Sequence, residues 1–173
     1  PLAASGGTDP EPASQARRSM PLTTRTLGRA VSVLDSEDFA MAFAGIAKAQ
    51  ARVLTLPAGR TVAITVAGEA GAPLLPSNPV WTNLLAALKA CGDPQVPVLL
   101  LDQAPRRFRL GLKFKRDPAW AADTVAAAMD AALRQRFGFE ARALGQPVQS
   151  SDIIATLHSV PGVLAVDLDA LYL

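Results

Sequence analysis

A chain of 173 residues with one histidine and one cysteine has few ways to build a reactive centre. His158 would have to serve any Ser/His/Asp or Cys/His arrangement, because both need an imidazole to carry the proton. It stands at the end of a short helical stretch near Leu157 and Val160, where facing solvent or capping carbonyls is its ordinary role. Cys91 ends an apolar helical stripe just before Gly92 and reads as a small buried apolar residue. Being alone, it can form no intrachain disulfide. Asp167 and Asp169 share one face of the terminal strand, yet no partner for proton transfer accompanies them, and the pattern is that of a wet strand face. No His/Cys/Asp/Glu group has metal-ligand spacing. Gly68, Gly71 and the SGGT segment lie outside the strand–helix context that a phosphate loop requires. No catalytic, metal or cofactor-binding residue is assigned, and the expectation is a non-enzyme without a cofactor or small-molecule substrate.

The one concentration of charge is basic: Arg106, Arg107, Arg109, Lys113, Lys115 and Arg116. Cations beside Phe108 and Phe114 on a strand are the ingredients of a platform for single-stranded nucleic acid. In RFRLGLKFKR, however, Phe108, Leu110, Leu112 and Phe114 alternate with Arg109, Gly111, Lys113 and Lys115. The rings and the cations therefore take opposite faces, whereas stacking needs them together. A solvated or partner-facing basic strand is the stronger reading, and a nucleic-acid-binding module using residues 106–116 is the alternative. A net charge of +2 and a pI near 9.1 commit the chain to neither nucleic acid nor an anionic membrane.

The elements that would position these residues follow from periodicity. Half of the residues are apolar and 18% charged, a globular composition. No apolar run reaches the length of a bilayer span. Residues 1–24, rich in Pro, Ser, Gly and Thr, read as a linker or extended arm. Ala30, Val31 and Val33 suit an extended piece. Asp35 and Ser36 then offer caps for a helix carrying Phe39, Ala42 and Phe43, which Gly45 stops. Residues 46–56 and 61–67 alternate around Pro57-Ala58-Gly59-Arg60, which predicts an antiparallel hairpin with one wet face. Asn78-Pro79 starts a helix striped by Leu84, Leu85, Leu88 and Cys91. The apolar run VPVLLL, residues 96–101, predicts a strand covered on both sides.

Gln103-Ala104-Pro105 marks a boundary. Asp117-Pro118 predicts a helix start, with Trp120, Val125, Met129, Leu133 and Phe137 on one side. Ser150 or Ser151 caps a short helix, and the last strand sets Leu164, Val166 and Leu168 against Ala165, Asp167 and Asp169. The corner at Phe43-Ala44-Gly45-Ile46 shares its plan with Val160-Pro161-Gly162-Val163. The expectation is α+β: a first domain over 25–104 and a second over 105–173. Each would be a small, mostly antiparallel sheet with helices packed on one face, the pair a candidate divergent duplication.

Several segments, in this order, resemble the baseplate J-like family, baseplate assembly proteins of contractile phage tails and contractile injection systems. They are SGGTDPE, RRSMPLTTRTLGRAVSVLDSEDFAMAFAGIAKAQA, TVAITVAG, LLAALKACGDPQVPV, RFRLGLKFKRDP and FGFEARALGQPVQSSDIIATLHSVPGVLAVDLDALY. Departures are Phe43-Ala44-Gly45, where the family more often has Pro before Gly, and Phe39, where Tyr is common. The resemblance implies a structural wedge component matching the carboxy-terminal part of a longer protein. Its implied partners are other wedge subunits, hub or sheath proteins and its own copies, without cofactor or membrane insertion. It would be cytoplasmic during assembly and then part of the tail or particle. The basic strand and the arm are the expected contact surfaces.

Overall fold

The computed structural model describes residues 22, 24, 26–57 and 59–172. Apart from Leu22 and Thr24, the expected arm over 1–24 lies outside the described residues. The chain divides into two compact units between Gln103 and Ala104.

The first unit contains helix α1 (Val33–Met41), strands β1 (Lys48–Leu56) and β2 (Gly59–Ala67), one 3-10 turn at Glu69–Gly71, helix α2 (Pro79–Cys91) and strand β3 (Val98–Asp102). Helix α1 starts with a reciprocal cap. Ser32 Oγ accepts the Asp35 N–H at 3.0 Å, while Asp35 Oδ2 accepts the Ser32 N–H at 2.8 Å. The start therefore lies a few residues before the expected Asp35–Ser36 cap, and Val33 is helical rather than extended. Ala30 alone keeps strand character, in an isolated parallel bridge to Gly92. The helix ends at Met41, and Gly45, at φ +86°, makes the turn that follows it.

Strand β2 is the central strand, antiparallel to β1 and parallel to β3. The parallel pairing is possible because α2 carries the chain back across the sheet. Helix α2 begins as expected, with Asn78 Oδ1 accepting the Val80 N–H at 2.9 Å and Pro79 in the first turn. Ile46, Ile64, Val66, Leu84 and Leu88 form the centre of the core between sheet and helices.

Two expectations for this sheet need correction. The hairpin face opposite the helices is not simply wet: Thr61 and Ala63 on it are buried, because both are short and lie on the strand flanked from both sides. Ala63 sits between Arg52 and Leu99. Nor is β3 covered on both sides, since Leu100 is 5% exposed but Leu99 and Leu101 are 36% and 37% exposed. Both helices pack on the Leu100 side, which leaves the other face of the edge strand open.

The second unit contains strand β4 (Arg109–Arg116), helices α3 (Ala122–Phe137) and α4 (Ser150–His158), and strand β5 (Val163–Tyr172). The two strands pair antiparallel and form a two-stranded sheet. Val125, Met129, Ile153, Leu157 and Val160 make its buried core, with Leu110, Leu112, Phe114, Val166, Leu168 and Leu171 packed against them. Both helix starts differ from expectation. Asp117-Pro118 forms a turn in which Asp117 Oδ1 accepts the Ala119 N–H at 2.9 Å, and helix α3 begins only at Ala122. Trp120 thus lies outside the helix. Helix α4 starts at Ser150, with Gln149 in the cap position and no side-chain cap bond.

The two corners that look alike in sequence have one local structure. In each, a nine-residue helix ends on a right-handed cap residue, Ala42 or Ser159, and then turns through a glycine at φ +86°. The hydrogen bonds also correspond: Phe43 to Ala40 and Ile46 to Phe43 in one, Val160 to Leu157 and Val163 to Val160 in the other. The likeness is confined to the corner, because the first unit runs αββαβ and the second βααβ.

Candidate functional site

Strand β4 holds its side chains as the alternation requires. Leu110, Leu112 and Phe114 point to the core and face Leu171, Leu168 and Val166 of β5. Phe108, just before the strand, meets Phe137 edge to face, with ring centroids 5.7 Å apart and planes at 79°. The outward row is Arg109, Gly111, Lys113 and Lys115, opposed on β5 by Tyr172, Ala170, Asp167 and Ala165. Thus three of the six basic residues, Arg109, Lys113 and Lys115, share one exposed sheet face.

The other three do not share it as strand residues. Arg106 and Arg107 are exposed in the segment that leads into β4. Arg116, at the strand end, turns its guanidinium onto backbone and donates to the Trp120 carbonyl at 2.7 Å. It clips the turn between β4 and α3, a structural task that the run of basic residues did not reveal. Lys113 pairs with Asp169 at 3.2 Å, both side chains well exposed, a geometry that contributes little stability. On α3, Arg134 and Asp130 are one helical turn apart. Asp130 holds the guanidinium above its ordinary value, first by the hydrogen bond at 2.6 Å and then by its charge.

Strand β5 departs from simple alternation. The register shifts between Lys115 and Arg116 and between Gly111 and Leu112, so Leu164 and Asp169 have no partner in the ladder. Leu164, expected in the core, is 53% exposed. Beyond Asp169, Leu171 points inward and Tyr172 outward, beside Arg109. Tyr172 is the residue of this face that the sequence pattern hides, because the bulge reverses the parity that would have predicted it.

His158 is exposed in the last turn of α4. Among the described residues, no group of three His, Cys, Asp or Glu is placed to hold a metal ion. A hollow of about 140 Å³ beside α1 is lined by Thr26, Gly28, Phe39, Ala42 and Phe43, none of them charged among the described residues. Among the described residues, no helix is long and apolar enough to cross a membrane.

Residues 28–101, which span most of the described first unit, match the Baseplate J-like central domain. That match supports membership of the baseplate J-like family for the segment it covers. The comparison with curated proteins finds no match. The match suggests a structural role among the proteins of a phage baseplate. The basic face belongs to the second unit, beyond the residues that define the baseplate J-like match.

Proposed function

We propose that the chain is a wedge component of the baseplate in a phage tail or a phage-tail-like contractile injection system. In this reading it works through protein contacts alone, with other wedge subunits, hub or sheath proteins and its own copies. It assembles in the cytoplasm and ends as part of the particle. Domain limits of 25–104 and 105–173 accompany this reading, with the first domain as the family module. The match over 28–101 carries the proposal. The exposed row Arg109, Lys113 and Lys115, with Arg106 and Arg107 before it, supplies a surface for an acidic partner.

The deciding experiment reverses the charge at Arg109, Lys113 and Lys115 and images particles by negative-stain microscopy. Loss of particles, with unchanged circular dichroism of the isolated chain, supports the contact. Normal particles remove those residues from the interface. The rival, a nucleic-acid-binding module on 106–116, requires salt-dependent retardation of single-stranded DNA or RNA. Phe108 and Phe114 pack against the core, away from the cations, and this weighs against it.

A further inference from the structure

Among the described strands of the second unit, β4 pairs only with β5, and β5 only with β4. Each strand therefore has one ladder side that no strand occupies, and such sides pair with other chains unless something discourages it. The two sides differ in charge. Strand β4 carries Arg109, Lys113 and Lys115 on its outward face, whereas the acids of β5 are Asp167 and Asp169 near its middle.

This asymmetry sorts the possible pairings. Joining β4 to β4 about a twofold axis places Arg and Lys beside Arg and Lys, and like charges across a ladder destabilise it. Joining β5 to β5 in near-full register sets Asp167 and Asp169 beside their own copies. Joining β4 of one chain to β5 of another puts Asp167 in the same outward row as Arg109, Lys113 and Lys115. That row is preserved in any register that keeps Val166 and Leu168 on the helix-covered side, because the face period is two. Within its own chain, Lys113 lies opposite Asp167 and pairs with Asp169, while Arg109 and Lys115 lie opposite the uncharged Tyr172 and Ala165 and have no acid across from them in the ladder.

We infer that the second unit self-associates head to tail, with the open side of β4 accepting β5 from a second copy of this chain. The contact is heterologous: each copy offers one donor edge and one acceptor edge. Such contacts continue from copy to copy and close into rings where the rotation allows. The inference deepens the baseplate reading and rests on it for a biological setting, while the edge pairing itself stands on charge and topology.

The test is sedimentation velocity of the whole chain across a range of concentrations at low and high salt. The expected result is a series of species beyond the dimer that weakens as salt rises. Arg109→Glu with Lys115→Glu leaves the Lys113–Asp169 pair in place and should weaken association at least tenfold. Asp167→Lys should do the same from the other edge, with a thermal melt to verify folding. Asp167→Asn is the milder variant with an effect of the same sign. A monomer at every concentration, association that stops at a dimer, or unchanged association of both edge variants overturns the inference. The two proposals also fail differently. If the Arg109/Lys115 variant loses self-association but builds normal particles, the wedge-contact reading falls. If it blocks particles while self-association is unchanged, head-to-tail pairing falls.

Discussion

The first sheet has an interior strand and the second has none. In the first, β2 is flanked on both sides, and its small residues Thr61 and Ala63 are buried. Its flank is also tended: the Ala51 N–H of β1 bonds at 2.9 Å to Glu37 Oε2 of helix α1, not to a strand. At the other flank β3 is the edge strand, and the Pro97 carbonyl just before it accepts the Val62 N–H of β2 at 2.9 Å. In the second sheet, among the described residues, β4 and β5 pair only with each other, and α3 and α4 pack on a single face. A sheet with an interior strand and one guarded flank is the more self-sufficient of the two, whereas a two-stranded ribbon depends on the helices packed against it.

The comparison breaks most visibly in the cores. Leu84→Ala and Leu157→Ala each remove a fully buried side chain and should cost about 2–5 kcal/mol. Amide exchange should rise in the first unit for Leu84→Ala and in the second for Leu157→Ala. Loss of protection in both units from either change would show that they are one cooperative body.

The matching corners give the next effect. Gly45 and Gly162 share φ +86°, so an alanine at either is strained. An added Cβ at Gly162 would lie 2.7 Å from Trp120 Cγ, against 3.0 Å from Val80 Cγ2 at Gly45. An indole ring yields less readily than a valine methyl. Gly162→Ala should therefore cost about 1–3 kcal/mol and Gly45→Ala less, by chemical denaturation.

Glu37→Ala tests the guarded flank. It strands the Ala51 N–H and should cost about 1 kcal/mol, with faster exchange at that one amide. The smallest effect belongs to Asp130→Asn on the exposed face of α3, where no measurable change in melting temperature is expected.

What the sequence showed depended on whether one signal decided the matter. Strand β4 was legible because RLGLKFKR alternates without interruption and the ladder has room for every residue but its partner's extras. Helix α2 was legible because Asn78 and Pro79 act together at its start. The start of α1 was misplaced because three candidate oxygens, Ser32, Asp35 and Ser36, lie within five residues. Only the reciprocal Ser32–Asp35 bonds choose among them. Asp117 misled for a related reason, since its carboxylate serves a turn and leaves the helix to begin later. The open side of β3 was hidden because an apolar run reports hydrophobicity on both faces and not what covers them. For the basic face, alternation placed Arg109, Lys113 and Lys115 on one side of the strand. It could not foresee that Arg116 would fold back on a carbonyl, or that a bulge would bring Tyr172 round beside Arg109.

The two extra residues of β5 also bear on how far such a ribbon can grow. Each bulge bends its strand and sharpens the local twist, and here both fall within ten residues. A template curved at Leu164 and again at Asp169 is poorly suited to the flat stacking of amyloid-type fibrils. Copies added along it are turned progressively out of plane, which favours a curling, self-limiting arrangement over indefinite stacking.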